Sequence, residues 1–232
     1  MSGRGPTRPS TRTEQVYGRL RADILAGRFE PGAKLPFAEL TERYGGSMGA
    51  LREGLQRLVE QGLVVSEPQL GFRVAPLSVD DLRDLTNARC DIEGMALRHA
   101  ITHGDIDWES EIVASFYALE RTPLSAARSD DSTPVVDWAA AHQRFHVALI
   151  AACPNQRLRS IASSLRDAAE LYRIWSARTT TPRDTVAEHR KIVDAALARD
   201  SDTAVRLLEQ HLRTTERLLV DRVSEPDSAL GR

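Results

Sequence analysis

The stretch between Leu40 and Leu58 constrains the fold most, because it has the pattern of two short helices joined by a glycine turn. Gly45-Gly46 supplies the sharp turn, and Ser47 is a favourable N-cap for the helix that follows. The apolar residues recur at helical intervals and can share one buried side: Leu40, Tyr44, Leu51, Leu55 and Leu58. Two helices around a short glycine-containing turn form a helix-turn-helix, so the stretch predicts a DNA-reading unit.

Elements on both sides of this unit extend it to a small domain. A helix over 13–26 precedes it, and two short β-prone runs at 63–66 and 72–74 follow it around a Pro/Gly turn. The two runs predict a hairpin, which directly behind a helix-turn-helix is a wing. We therefore predict a winged helix DNA-binding domain over 12–75. Residues 1–11 have no periodicity, which indicates a disordered arm.

The remainder of the chain is predicted to be helical. Residues 76–79 are the expected linker, and no convincing strand follows them. Apolar periodicity and helix-start signals predict six helices, at 79–103, 107–121, 134–152, 156–178, 182–199 and 202–223. We expect a loop at 121–133 and a tail at 225–232. The predicted fold class is mainly α: an N-terminal winged helix-turn-helix and a C-terminal all-α helical bundle over 80–224.

The charge balance differs between the two halves of the chain. Residues 1–75 contain 11 Lys/Arg and 8 Asp/Glu, a balance of +3, whereas residues 76–232 contain 20 and 25, a balance of −5. A basic N-terminal part followed by an acidic C-terminal part is typical of a nucleic-acid-binding domain that is joined to a second domain. The two cysteines are too few for a disulfide framework. No apolar run reaches the ~18 residues of a transmembrane helix, so we expect a cytoplasmic protein with no membrane partner.

Several motifs are specific when they are taken together. The front half carries Ile24–Leu35, Leu51–Leu58, Gly62–Val64 and Gly71–Ala75, and the back half carries Phe145–Leu149, Glu188-His189 and His211-Leu212. In these motifs the chain resembles the GntR family of bacterial transcription regulators, in the FadR-type subgroup whose helical C-terminal domain is the FCD type. Within the family, Ser47–Glu53 looks most like the repressors that respond to glutarate. The resemblance implies a homodimer on two-fold related operator DNA, controlled by a small carboxylate effector that binds the helical domain.

The second helix of the unit is expected to enter the major groove by its N-terminal end. Ser47, Met48, Gly49 and Arg52 would then lie nearest the bases and phosphates. Arg52 is the candidate for paired hydrogen bonds to a guanine, and its alternative is a salt bridge on a solvated helix face. Further candidates for DNA contact are Lys34, Arg43 and, in the wing, Gly71, although the two cations are also consistent with plain surface charges.

Two positions depart from the pattern of the family. Many members carry Arg where this chain has Met48, so one major-groove contact is missing and only apolar contact remains. Gly54 replaces the usual Ala, at a cost of roughly 1 kcal/mol in a helix interior. Close packing against a neighbouring helix would explain this glycine. Because the second helix of the unit then offers fewer arginines to the DNA, we expect Arg52 to contribute more to operator binding.

Four of the six histidines fall on the helices that form the ligand cavity in similar proteins: His142, His146, His189 and His211. The first two are four residues apart and share one helix face. Imidazoles that converge from three helices suit a divalent metal ion such as Zn²⁺. In metal-binding FCD domains the position of His142 usually holds Asp or a comparable residue, so this chain offers there a ligand without negative charge. The alternative is a polar pocket whose histidines hydrogen-bond to each other or to an effector.

Arg89 lies where related proteins often present an arginine to an effector carboxylate. Its alternative is an internal salt bridge, with Asp91, Glu93 or a residue on another helix as partner. Tyr172 and Arg173 are further candidates for the same cavity, with core packing and surface exposure as their respective alternatives.

Two other classes of protein are alternatives to a metabolite-responsive repressor. A metal-dependent hydrolase with an accessory DNA-binding domain would use the histidines to activate water. Against this class, Glu188 is adjacent to His189 and is expected to point elsewhere, which leaves no carboxylate as general base. An architectural DNA binder would ignore small acids. We predict a DNA-binding transcription regulator and not an enzyme.

Overall fold

The computed structural model describes residues 11–123, 133–176 and 183–223. The chain divides into two compact units between Pro76 and Leu77. The predicted arm and loop lie almost entirely outside the described residues, and the predicted tail lies wholly outside them. Within these ranges, none of the helices combines the length and the apolar character that crossing a membrane requires.

The first unit contains three helices and one hairpin. They are α1 (Arg12–Leu25), α2 (Phe37–Tyr44), α3 (Met48–Glu60), β1 (Val64–Glu67) and β2 (Gly71–Val74). The strands are antiparallel, and Val64 is paired with Val74. The segment before α2 joins this ribbon, because Leu35 N donates to Phe72 O at 2.8 Å. This order of elements is a winged helix.

The glycine turn fixes the relation between α2 and α3. Gly45 and Gly46 have φ angles of 65° and 100°, which are conformations that residues with a Cβ rarely adopt. The guanidinium of Arg19 on α1 donates to the carbonyls of Arg43 and Tyr44, which satisfies acceptors at the end of α2. Ser47 Oγ accepts from Ala50 N at 3.2 Å and so caps α3 as expected.

In the described residues of the second unit, every regular element is a helix. Its elements are α4 (Val79–His103), α5 (Ile106–Arg121), α6 (Thr133–Leu149), α7 (Gln156–Ser176), α8 (Thr185–Leu197) and α9 (Ser201–Val223). Helix α4 packs against α7 and α9, α5 packs against α6 and α8, and α8 packs against α9. Together the two units confirm the predicted fold, a winged helix followed by an all-α bundle.

Two helix boundaries differ from the prediction by three residues, and the others agree within one or two. Helix α8 begins at Thr185 and not at Pro182, because the Asp184 carboxylate accepts from Ala187 N and acts as the N-cap. Helix α6 ends at Leu149, earlier than the predicted 152, and residues 150–152 continue as turns that end before Pro154.

The main core of the bundle is aromatic and aliphatic. Phe116 and Phe145 are buried with ring centroids 5.8 Å apart, and Trp108 donates its indole N–H to Ala148 O at 3.0 Å. This hydrogen bond lets the indole be buried without an unpaired donor. Charged or polar side chains are rarely buried beside such a core, so those that are buried here indicate where a functional site lies.

Gly54 lies in α3 against α1, as expected, but the packing does not require a glycine. A Cβ added to Gly54 would lie 3.5 Å from Tyr17 Cα, which is an ordinary van der Waals contact. By contrast, a Cβ at Gly94 in α4 would come within 3.2 Å of Val205 Cγ1. The close approach of α3 to α1 therefore leaves room for the alanine that the family usually has.

Candidate functional site

The first turn of α3 presents its side chains to the surface. Met48 is 52% exposed, and Ser47, Gly49 and Arg52 are exposed as well. The first N–H groups of a helix have no partner within the helix, so this end favours a phosphate or another anion. The four residues predicted nearest to DNA therefore lie together on one accessible helix end.

Arg52 is held by a ring and not by a carboxylate. Its guanidinium carbon lies 5.4 Å from the centroid of the Phe37 ring in α2. In the part of the chain that the structure describes, Arg52 makes no ion pair, so the salt bridge considered as its alternative is not observed. Stacking on Phe37 restricts the guanidinium while its donors stay available.

The other DNA-contact candidates are placed differently. Arg43 forms an ion pair with Asp23 at 3.2 Å and lies 5.2 Å from the Phe29 ring, so its charge is partly used inside the unit. Lys34 is exposed beside the hairpin. Gly71 starts β2 with a φ of 93°, at the tip where Leu70 is exposed. Of these cations, Arg52 is the one that lies in the first turns of α3, where a base contact is expected.

The second candidate site is a cluster of four histidines in the bundle. His142 and His146 come from α6, His189 from α8 and His211 from α9. One nitrogen of each ring can be chosen so that all four lie within 4.8 Å of one another. The structure thus brings together the four residues that the sequence offered as metal ligands.

Burial keeps these imidazoles uncharged. It is the main cause that lowers the pKa of each ring, and the pKa of His189 falls to about 2. For His142, His146 and His189, the next largest cause is a neighbouring imidazole, since two charged rings would repel each other. At neutral pH the rings are neutral, and each offers a lone pair.

The donor set fits a divalent metal ion. Both ring nitrogens of His189 are buried and find no hydrogen-bond partner in the described residues. An unpaired buried polar atom costs about 1–3 kcal/mol, so a ligand bound at this ring would be favoured. The Nε2 atoms of His142 and His146 are 3.2 Å apart, which is also a hydrogen-bond distance, so this pair agrees with the alternative of histidines bonded to each other as well. Two nitrogens bound to tetrahedral zinc at ~2.0–2.1 Å would be separated by roughly 3.3 Å.

Glu188 corrects one prediction, because its carboxylate does reach the histidines. Its Oε2 accepts from His211 Nδ1 at 2.9 Å, which leaves the Nε2 lone pair of His211 for a ligand. Arg183 donates two hydrogen bonds to the same carboxylate, from Nε to Oε1 at 2.8 Å and from Nη2 to Oε2 at 2.6 Å. Burial opposes ionisation, but the hydrogen bonds from His211 and Arg183 outweigh it and lower the pKa of Glu188 to about 2. A carboxylate held this way positions His211 and is a poor general base.

Arg173 and Tyr172 were predicted to line the cavity and lie in different surroundings. The guanidinium of Arg173 is 4.6 Å from the centroid of the Trp138 ring, and that ring stacks on His142 with centroids 4.7 Å apart. Arg173 is therefore beside the cluster. The Tyr172 hydroxyl instead donates to Asp81 at 2.5 Å and packs with Leu82 in a separate apolar group.

Arg89 belongs to a buried group of three charges. Its Nε donates to Glu93 Oε1 at 2.7 Å, and Arg166 Nη1 approaches Glu93 Oε2 at 3.4 Å. Glu93 is only 1% exposed. Both guanidinium groups lie near enough to His146 to lower its pKa. The salt bridge with Glu93 that was the alternative for Arg89 is thus present, next to the histidine cluster.

Arg166 and Arg183 are the site residues that sequence reasoning missed, whereas Glu93 was expected only as a possible partner of Arg89. A signal existed for Arg166, which lies four residues after the buried Ala162 and so falls on the apolar face of α7. A charge on such a face is uncommon unless it is paired or functional. Arg183 carried no comparable signal, because it stands before α8 in a segment without periodicity.

The comparisons with known proteins agree on one family. The model described as "Bacterial regulatory proteins, gntR family" matches residues 12–74, and the model of the FCD domain matches residues 84–214. The chain is a member of the GntR family. It is 38% identical over 204 residues to the HTH-type transcriptional repressor GlaR of Escherichia coli (strain K12), covering 85% of this chain and 91% of GlaR.

Further relatives are consistent with this assignment. The HTH-type transcriptional regulator BphR of Paraburkholderia xenovorans (strain LB400) is 37% identical over 203 residues, covering 87% of this chain and 82% of BphR. The structure of E. coli McbR/YncC shares the fold, with a TM-score of 0.76 at 19% identity, over 93% of this chain and 100% of that one. Membership of the GntR family confirms a DNA-binding transcription regulator that is not an enzyme.

Proposed function

We propose that this GntR-family protein is a homodimeric, metabolite-responsive repressor, whose helical domain binds a divalent metal ion and a small carboxylate. The observation that carries the proposal is the group of four neutral histidines next to Arg89, of which three are buried and His142 is half-buried. The proposal also places the protein in the cytoplasm, where operator DNA is found. Two winged helices related by a two-fold axis would read two half-sites of an operator.

The DNA-binding half of the proposal is centred on α3. Its exposed first turn suits the major groove, and Arg52 on the Phe37 ring is the candidate for base recognition. The Arg52→Ala variant should lose about 1–3 kcal/mol of operator affinity and discriminate less between operator and scrambled DNA. Arg52→Lys is the matched control, since it keeps the charge but loses the paired donors. Unchanged specificity in Arg52→Ala would contradict this role.

For the metal, we propose Zn²⁺ held by His142, His146, His189 and His211. The nitrogen donors favour zinc or a similar ion over magnesium and calcium, which prefer oxygen. Zinc bound there would accept a carboxylate oxygen as an additional ligand. Glu188 and Arg183 fix the ring of His211, and stacking on Trp138 restricts that of His142. Metal analysis of the purified protein beside its His146→Ala and His189→Ala variants tests the site.

The effector we propose is a small carboxylate, held by Arg89 and the metal. Four neutral imidazoles leave the charge of a divalent ion uncompensated, so an anion is favoured at this position. Effector binding would lower operator affinity by the ratio of its affinities for the DNA-free and DNA-bound states. The test is operator binding by fluorescence anisotropy, with C4–C6 dicarboxylates and sugar acids. If no acid in the panel changes the affinity, the protein behaves as an architectural binder and the sensing proposal fails.

A further inference from the structure

The ring of Phe37, at the start of α2, contacts both α3 and the hairpin. The guanidinium carbon of Arg52, in α3, lies 5.4 Å from the centroid of this ring. The buried Phe72, in β2, meets the same ring in an edge-to-face arrangement, with centroids 6.0 Å apart and an interplanar angle of 85°. Phe37 therefore joins the residue proposed to read a base to a strand of the wing.

The backbone before Phe37 holds this residue in place against β2. Leu35 is buried, and its N–H donates to Phe72 O at 2.8 Å. Pro36 follows with a φ of −71°, the region to which its ring confines the backbone. A hydrogen-bonded residue, a proline and a ring–ring contact thus restrict where the Phe37 side chain can lie before any DNA is bound.

Core packing alone does not account for this phenylalanine. The buried side chains of α2 are Leu40 and Tyr44, and Phe37 continues their stripe by one turn but is only half-buried. The guanidinium of Arg52 lies over the ring that extends beyond the core. An arginine is attracted to the face of an aromatic ring by the ring's quadrupole, so this contact restrains a side chain that is otherwise exposed.

Such a restraint favours a specific complex over a non-specific one. An arginine side chain has several rotatable bonds, and ordering them on binding costs conformational entropy. The aromatic ring engages the face of the guanidinium, whereas hydrogen bonds to a guanine use the N–H groups at its edge. Both contacts can therefore be made at once. Non-specific complexes depend on phosphate contacts, so ordering this side chain for a base gains nothing there.

We propose that Phe37 is a positioning residue for base recognition, which preorganises Arg52 and so contributes to operator specificity but not to general DNA affinity. The inference rests on the proposed function, since it requires that Arg52 contacts a base. Because Phe72 contacts the same ring, the hairpin also takes part in placing Arg52. Removing the ring while keeping every charge should therefore weaken only the specific complex.

The test measures the affinity of the full chain for two DNA duplexes by fluorescence anisotropy. One duplex is an operator selected out of a random DNA pool, and the other is its scrambled sequence. Phe37→Leu is expected to lower the ratio of operator affinity to scrambled-DNA affinity about two- to fivefold, the contribution of a cation–π contact at an exposed site. The affinity for scrambled DNA and its dependence on salt should stay unchanged, because no charge is removed.

Two controls separate positioning from a general effect on structure. Phe29→Leu is the matched variant, because the Arg43 guanidinium lies 5.2 Å from the Phe29 ring but also forms an ion pair with Asp23 at 3.2 Å. Its affinity ratio should equal that of the wild type. In a double-mutant cycle, Phe37→Leu added to Arg52→Ala should lower the ratio no further, since the ring then has no guanidinium to place.

The outcomes separate the inference from the proposed function. If Arg52→Ala loses specificity while Phe37→Leu keeps the wild-type ratio, the role of Phe37 is overturned and the role of Arg52 stands. The same conclusion follows if Phe37→Leu lowers the ratio equally with and without Arg52, or if Phe29→Leu lowers it as much. If Arg52→Ala keeps its specificity, the proposed role of Arg52 fails, and the inference fails with it.

A second variant covers the case in which Phe37→Leu does not fold. Phe37→Met fills the same region with a flexible apolar chain that has no ring face. It should show the same selective loss of operator affinity, and a wild-type ratio in this variant would overturn the role of Phe37.

Discussion

Glu93 offers the sharpest test of how the buried charges are arranged. Replacing it by glutamine removes the counter-charge that Arg89 and Arg166 share, and leaves Arg166 the weaker attraction of the buried Asp167. Breaking a buried ion pair by removing one partner costs about 3–5 kcal/mol. We expect the lower end, about 3 kcal/mol, because Arg89 retains 12% exposure and can turn towards solvent.

The matched perturbation is Arg166→Gln, which leaves the Arg89–Glu93 pair intact at 2.7 Å. It also removes a guanidinium whose Nε–H finds no acceptor among the residues that the structure describes. We therefore expect this variant to cost about 1 kcal/mol or less. The asymmetry between the two variants is the prediction, because a symmetric bridge would make them similar.

Urea unfolding followed by tryptophan fluorescence measures the difference. Trp108, Trp138 and Trp175 all lie in the second unit, so the signal reports on the helical bundle alone. The experiment is done on metal-free protein without added acids, since a bound anion would partly replace Glu93. If Glu93→Gln costs no more than Arg166→Gln, Glu93 is not the counter-charge that the two guanidinium groups share.

Three further predictions concern the histidines and the helices. Glu188→Gln should weaken metal binding about 10–100-fold, because His211 loses its charged hydrogen-bond partner. Competition with a chelator measures the metal affinity. An unchanged affinity would contradict the role of Glu188 in positioning His211. The metal-free bundle should lose stability as the pH falls below about 6.5, since unfolded histidines take up protons that the buried ones, with lowered pKa, refuse. At pH 5.5 His189 alone accounts for a loss of about 1.4 kcal/mol in the free energy of unfolding. The His189→Asn variant should therefore show a weaker pH dependence of the urea midpoint. A dependence as steep as that of the wild type would refute the assignment. Gly54→Ala should stabilise the winged helix by about 0.5–1 kcal/mol, measured by thermal unfolding followed by circular dichroism. Gly94→Ala should stabilise the bundle by less, because the new Cβ would lie 3.2 Å from Val205. Equal gains in stability would contradict the packing argument.

The fold was predictable because its signals are local. Cap residues and apolar periodicity placed α4 at its observed bounds, and the glycine pair placed the turn between α2 and α3. The helix starting at Thr185 was misplaced because proline is a strong helix-start signal. The cap that decides the boundary is Asp184, whose carboxylate satisfies an N–H of the first turn.

The site was predictable only in part, because its outer contacts come from distant helices. The resemblance brought the four histidines together, and the structure agrees. The prediction for Glu188 was wrong because it considered only its neighbour His189. Adjacent residues of one helix point in different directions, but His211 on α9 lies on the side to which Glu188 points. Arg166 meets Glu93 across 73 positions of sequence, a separation that no periodicity reveals.

The coupling of the histidine site to DNA binding is the central claim. It is tested most directly by operator affinity in fluorescence anisotropy, with and without glutarate, for zinc-loaded wild type and for His189→Ala. We expect glutarate to release wild-type protein from an operator selected out of a random DNA pool. The variant should bind the same operator with unchanged affinity and ignore glutarate. Release of the variant by the same glutarate concentration as the wild type would contradict control through this site.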